Sequence, residues 1–210
     1  MKRKFGIFCM VLGMGLMIGA LLLSRANRQE DIVAQEAAVD VLPQLVQQIV
    51  EKTREEPELP LDVALNIPQE YLTPEDLAMT EVEVDGNLYI GYLSIPDLGL
   101  SLPIMSTWSY PQQKIAPCRY TGSIRGEDLV LMAHNFSSHF GYISQLELGD
   151  HVSFTDMDGV TSRYEVVGKD LLEPTAVEEM TSGDFDLTLF TCTYGGASRV
   201  TVYCNRVSES

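Results

Sequence analysis

Leu187-Thr188-Leu189-Phe190-Thr191-Cys192, a polar gap from Thr193 to Ser198, and Arg199-Val200-Thr201-Val202-Tyr203-Cys204-Asn205-Arg206-Val207 read as two β-strands joined by a loop. Successive side chains along a strand point to opposite faces. In the second run Val200, Val202 and Cys204 share the core face, and Arg199 lies on the other. In the first run Thr188, Phe190 and Cys192 share one face, and Leu187, Leu189 and Thr191 the other. Gly195-Gly196 lies in the connection, so Cys192 at the end of one strand and Arg199 at the start of the next are expected side by side.

Upstream the same texture continues, with short apolar runs between turn residues predicting strands over 89–95, 100–105, 129–132, 151–155 and 163–168. Roughly 120 residues of closely spaced strands predict one all-β domain, long enough to bury its own core. The pattern alone leaves a barrel and a sandwich both open.

The other end of the chain differs in kind. Met1-Lys2-Arg3-Lys4 is basic, and no charged residue occurs from Phe5 to Leu23. That apolar run spans about 28 Å as a helix, close to the hydrocarbon thickness of a bilayer. A cleaved signal peptide is the competing reading, with Ser24-Arg25-Ala26 as a poor cleavage site. Its apolar core should run only about 7–15 residues, which favours an uncleaved anchor. Positive charge concentrated at residues 2–4 places the N-terminus in the cytoplasm and everything after Ser24 outside. The expected organisation is a cytoplasmic tip over 1–4, an anchor over 5–24, a helical and acidic spacer over 25–87 and a catalytic domain over 88–210.

Within the spacer, 29–54 reads as helical, with Leu42, Leu45, Val46, Ile49 and Val50 on one face. Pro43 predicts a break into two helices, with proline opening the second. The segment is either a spacer lifting the domain off the membrane, or its apolar face covers part of the domain or a partner. Beyond it, 55–83 is acidic and interrupted by Pro57, Pro60, Pro68 and Pro74, with one helical turn expected at Thr73-Pro74-Glu75-Asp76.

All 30 acidic residues lie at or beyond Glu30, against nine Lys and Arg after Arg28, so the chain from Glu30 on carries a net charge of about −21. Such a surface repels nucleic acid, and a nucleic-acid partner is excluded. Outside the anchor, which holds Cys9, the cysteines are Cys118, Cys192 and Cys204, an odd number that leaves at least one thiol free. No Cys-x-x-Cys or His-x-x-x-His spacing is present, and neither a metal nor another cofactor is expected. The loop acids Glu147, Asp156, Asp158, Glu178 and Glu179 are read as solvated rather than calcium-binding.

A thiol acts as a nucleophile only as thiolate, which cationic neighbours favour. His134, in the apolar segment Leu131-Met132-Ala133-His134-Asn135, and Arg199 supply that environment here. In a cysteine acyl transfer the imidazole carries the proton and the guanidinium meets the developing oxyanion. His139 and His151 compete for the first role and Arg206 for the second. Taken singly, a cysteine in an apolar strand is more often packing than catalysis.

The wording around these residues resembles the sortases, the membrane-bound cysteine transpeptidases of Gram-positive bacteria. Sortases carry a Thr-Leu-x-Thr-Cys strand end, an arginine opening the next strand and a histidine after a mid-domain strand. The resemblance extends to Ile90-Gly91-Tyr92-Leu93-Ser94-Ile95-Pro96, Leu102-Pro103-Ile104, Tyr120-Thr121-Gly122-Ser123, Phe140-Gly141-Tyr142 and Leu146-Glu147-Leu148-Gly149-Asp150. It runs from residue 88 to 207. Cys118-Arg119 stands where sortases often carry Gly-His, and the class stays open.

The resemblance implies a closed β-barrel of seven to eight strands with short helices, and an extracytoplasmic enzyme. Such an enzyme cleaves a Leu-Pro-x-Thr-Gly-like sorting signal on secreted proteins, holds the acyl group as a thioester on Cys192 and passes it to an amine of a peptidoglycan precursor. It implies Cys192, His134 and Arg199 as catalytic residues and a specificity loop over 169–186, with a helical turn at 176–180. Pro103, Met132, Ala133 and Phe190 are the expected groove walls. The alternatives are a surface cysteine protease using water, and a tethered binding module without catalysis.

Overall fold

The computed structural model describes residues 2–55 and 78–207; the expected turn at Thr73 to Asp76 lies outside them. Among the described residues, nine strands follow one long helix, α1 (Lys2–Glu55). They are β1 (Val82–Val84), β2 (Asn87–Ile95), β3 (Leu100–Met105), β4 (Cys118–Thr121), β5 (Leu129–Ala133), β6 (His151–Asp156), β7 (Thr161–Leu172), β8 (Leu187–Cys192) and β9 (Arg199–Arg206). A single helical turn, α2 (Val177–Met180), lies between β7 and β8 where a turn is expected.

The sheet runs β1-β2-β3-β4-β5-β8-β9-β7-β6, and β6 pairs back onto β2. That last pairing, from Gly91 opposite Asp156 to Ser94 opposite Ser153, closes β2 through β9 into an eight-stranded barrel with β1 as a flap on β2. Closure needs a close approach at Gly91, which has φ +145°; a Cβ there would lie 2.1 Å from the Thr155 carbonyl oxygen. Only glycine fits.

The barrel interior follows from period-two alternation. Leu129, Leu131 and Ala133 of β5, Leu187 and Leu189 of β8, and Val202 and Cys204 of β9 all belong to the main core, with Leu93, Ile104, Phe154 and Tyr164. Val130, Met132 and Phe190, one residue out of phase, form a second cluster on the outside with Met180, flanked by Trp108, Tyr120 and Leu172.

Two strands escape the alternation rule. β1 is three residues long, and β4 has a register irregularity between Arg119 and Thr121 and touches β3 through one register pair, Met105 with Cys118. Neither is long enough to show a repeat. β7 runs four residues past its expected end because β9 pairs with it as far as Leu172 opposite Arg199, so the β7–β8 connection is 173–186 rather than 169–186.

α1 corrects two expectations. It is continuous through Pro43 rather than two helices. Proline removes the bond to the carbonyl of Val39, but Val39 and Pro43 are both exposed, so water can satisfy that carbonyl. The helix is held instead by packing. Its buried stripe is Ala34, Ala38, Val41, Leu45 and Ile49, whereas Val46 and Val50, expected on that face, are 39% and 42% exposed. Val41, Leu45 and Ile49 pack against Val84, Tyr89, Met105, Ala116, Cys118 and Met157 on the outer barrel wall. Of the two roles open for the spacer helix, it covers the domain. At its far end Lys52 meets Asp158 at 2.6 Å, an acid that also binds Thr80 and Arg125. The first part of α1 is apolar, makes no burying contact and is long enough to cross a membrane.

Candidate active site

β5, β8 and β9 lie side by side, and their register decides the site. β5 and β8 run parallel with Ala133 opposite Thr191, so the next residues, His134 and Cys192, stand about one strand spacing apart, roughly 5 Å in the backbone. β8 and β9 run antiparallel, and Cys192 is the direct partner of Arg199. His134, Cys192 and Arg199 thus stand at three adjacent strand ends, with Cys192 on the middle strand. The Thr191 hydroxyl donates to the Ala133 carbonyl at 2.8 Å and ties the first two ends together.

Cys192 is free and half-buried, on the wall of a cavity of about 260 Å³ shared with Asn135, Gly141, Ser144, Thr193 and Tyr194. The other two thiols outside α1 are unlike it. Cys118 and Cys204 are free, fully buried in different clusters, and burial pushes each up to about 12. They are held as neutral packing groups.

His134 is half-buried, its ring stacked on Phe136 with centroids 4.0 Å apart. Its Nδ1–H donates to the Asn135 carboxamide oxygen at 2.8 Å, which leaves Nε2 as the lone-pair nitrogen of the neutral ring. Burial lowers its pKa below the usual histidine value, opposed by the Asn135 hydrogen bond and by the nearby charge of Glu30. The sequence reading gives Asn135 no role at this site. Its adjacency to the histidine is the one signal available, and adjacency does not say which way a side chain turns.

Arg199 is half-buried and donates from Nη1 to the carbonyls of Gly196 and Ser198, at 3.2 and 3.3 Å. The loop giving those carbonyls is itself closed, with Thr193 N–H on the Ser198 carbonyl at 2.9 Å and Ser198 N–H on the Thr193 hydroxyl at 3.0 Å. The rival residues lie elsewhere. Arg206, at the opposite end of β9, is tied to Asp186, Ile124 and Glu127. His151 is exposed at the start of β6.

Of the four expected groove residues, Met132 and Phe190 share the outer cluster beside the row. Ala133 is fully buried in the main core, because it follows Leu129 and Leu131 in phase. Pro103 is buried on β3 opposite Tyr92, in phase with Met105 on the wall under α1. Position in sequence near a strand end does not separate inward from outward residues unless the phase is counted. The structure adds Met180 from α2, with Trp108 and Tyr120 at the edge of the same cluster.

Among the loop acids, the Asp156 carboxylate accepts from the backbone of Asp158 and Val160, and Asp158 is occupied as described. Among the described residues, no group of three or more His, Cys, Asp or Glu is gathered as a metal site.

His139 is fully buried, its ring 5.5 Å from Phe136. Burial, with the charge of His134 and against that of Asp31, brings its pKa down to about 4. An unfolded chain takes up this proton near 6.5, while the folded one resists until about 4. The unfolded state therefore binds more protons between those values, and the stabilisation present above pH 6.5 is lost as pH falls through 4. That loss amounts to roughly 3 kcal/mol. Melting temperature is expected to fall from pH 7 to pH 4, and His139→Phe to flatten that dependence; an unchanged slope in the variant rules it out.

A family model described as the sortase domain matches residues 93–207. Among solved structures, the chain is similar to sortase C1 from Streptococcus suis, at 27% identity and TM-score 0.50, over 58% of this chain and 74% of that one. It is similar to sortase C from Clostridium perfringens SM101, at 22% identity and TM-score 0.51, over 89% and 98% of the two chains. A Clostridium perfringens sortase D5 transpeptidase shares the fold at 16% identity and TM-score 0.59, over 82% and 99%. No curated protein matches the chain.

Proposed function

Because the chain belongs to the sortase family, we propose that it is a membrane-anchored cysteine transpeptidase in which Cys192 is the nucleophile, His134 the proton carrier and Arg199 the oxyanion donor. The Cys192 thiol gives its proton to His134, and the thiolate attacks the carbonyl carbon of the scissile peptide bond. The C–S bond forms, and negative charge moves onto the carbonyl oxygen, where a guanidinium with five N–H donors can meet it. The C–N bond then breaks, and the leaving amine takes the proton from His134. In the second half an acceptor amine loses a proton to His134 and attacks the thioester, releasing the thiolate. One amide is exchanged for another without water.

Met132 and Phe190, with Met180 and Trp108, are the proposed walls for the apolar residues of a Leu-Pro-x-Thr-Gly-like signal on a secreted protein. The acceptor is an amine of a peptidoglycan precursor. Residues 5–24 span the membrane with the short basic tip in the cytoplasm and the barrel outside, since the charge before the span exceeds that just after it.

The observation that carries this reading is the register row: Ala133 opposite Thr191 and Cys192 opposite Arg199 put the three side chains on neighbouring strand ends. The full chain in detergent, given a Leu-Pro-x-Thr-Gly peptide, is expected to show a thioester mass on Cys192 and, with added triglycine, a ligated product formed faster than the hydrolysed one. Hydrolysis unaffected by the amine points to a protease. An unmodified Cys192 with no turnover overturns the enzymatic reading.

A further inference from the structure

Eight residues beyond Leu23, α1 presents Asp31 to the loop that follows His134. The Asp31 carboxylate accepts hydrogen bonds from the hydroxyls of Ser137 and Ser138 and from the Ser138 N–H at 3.1 Å, and its backbone carbonyl accepts from the Ser138 hydroxyl at 3.3 Å. A second tie lies one residue away, where Glu30 meets Lys114 at 3.0 Å. Ala34 and Ala38, both buried, have side chains small enough for the helix to lie close to the domain here. We propose that Asp31 is a positioning residue for His134, so that the anchoring helix forms part of the catalytic apparatus as well as tethering it. This rests on the reading of His134 as the proton carrier.

The route from Asp31 to the imidazole is short and packed. Residues 134–141 wind around Phe136: its carbonyl accepts from the N–H of His139 at 3.1 Å and of Gly141 at 2.9 Å, and the His134 carbonyl accepts from Phe140 N–H at 3.3 Å. Gly141 is required there, since a Cβ would lie 2.6 Å from the Phe136 oxygen. Phe136 is buried, and its ring is the surface on which His134 stacks. Ser137 and Ser138 form the outer corner of this turn. Freeing that corner lets Phe136 shift, and the imidazole shifts with it. A displacement of the order of 1 Å at a reacting group costs up to about a hundredfold in rate.

A carboxylate suits the corner because it accepts through two oxygens and donates nothing. Burial raises the pKa of Asp31, but the Ser137 and Ser138 hydrogen bonds outweigh it and hold the carboxyl below the usual value, so it is charged at neutral pH. The groups facing His134 are Glu30 and Asp31 from α1, which favour its protonated form, and Lys114, which opposes it; Asn135 adds a hydrogen bond, and the neighbouring His139 also packs against Phe136.

The test uses the full chain in detergent micelles, with kcat and KM on the sorting peptide and the His134 ring titration followed by NMR. Asp31→Ala is expected to lower kcat about tenfold, with KM within about twofold. Asp31→Asn, which keeps one acceptor oxygen, is expected to recover part of that loss. The Ser137→Ala/Ser138→Ala chain is expected to match Asp31→Ala, and combining the two sets to add little, as for groups acting through one contact. The His134 midpoint should move to lower pH in Asp31→Ala.

A lower melting temperature with kcat and the titration both unchanged overturns the proposal, as do fully additive losses. If Asp31→Ala fails to fold, the serine double variant decides by the same readouts. If the wild type does not turn over the peptide, the transpeptidase reading fails on its own; the His134 titration still tests the positioning role, and an unmoved midpoint overturns it.

Discussion

Cys192→Ala is expected to abolish both peptide release and transfer. Without the sulfur no thioester can form, and nothing else in the row is a nucleophile: His134 is oriented by Asn135, and the Arg199 guanidinium offers N–H donors only. Deleting the nucleophile of a concerted site costs up to about 10⁶ in kcat, which places the variant at background. The fold should survive, because Cys192 is half-buried at the last position of β8 and the core beneath it is built from Leu187, Leu189, Val202 and Cys204. Chromatography of the peptide products, beside an unchanged melting temperature, is the measurement. Alkylation is the companion experiment. Among the three thiols outside α1, iodoacetamide should label Cys192, while Cys118 and Cys204 stay unlabelled in the folded chain. Turnover by Cys192→Ala at a tenth of the wild-type rate or more would remove the thiol from the mechanism.

His134→Ala and Arg199→Ala give the second-largest losses. In the proposed mechanism the imidazole moves a proton in both halves of the reaction, and general acid–base catalysis of this kind contributes about 10²–10⁴-fold per step. The guanidinium acts on charge that develops in the transition state, and losing one such donor costs about 10²–10³ in kcat with little effect on KM. Arg206→Ala is the control. Its side chain is bound to Ile124 and Glu127 at the far end of β9, so activity should stay within about threefold while melting temperature falls. Steady-state kinetics on the three variants separates the two arginines. A crippled Arg206→Ala beside a mild Arg199→Ala would transfer the oxyanion role and undo the register argument.

The row proposed as catalytic was legible because its members sit at or next to strand ends. Val200, Val202 and Cys204 announce a core face, and that puts Arg199 outside; Thr188, Phe190 and Cys192 follow by the same count. The same count places Ala133 inside with Leu129 and Leu131, so its expectation as a groove wall came from neglecting phase. β4 escaped for a different reason. Four residues with a register irregularity have no period to detect, and Cys118 to Thr121 become a strand only because Met132 and Leu131 lie alongside. Met180 and Trp108 join Phe190 from separate loops, and no spacing in the chain foretells that meeting.

Local geometry, then, is what the chain alone determined: an apolar N-terminal helix of membrane length, a run of short strands, the inward and outward side of the longer ones, and the pairing of Cys192 with Arg199 across one loop. These follow from bond geometry and the avoidance of water over a few residues. Tertiary structure decided the rest. That β5 lies parallel to β8, 58 residues on, and so brings His134 beside Cys192, is a pairing of strands distant in sequence. The continuity of α1 through Pro43, the stripe it buries and the meeting of Asp31 with Ser137 and Ser138 depend on the barrel wall it lies against. Contacts between residues a hundred positions apart form only once the strands between them have found their neighbours, and no local period encodes that order.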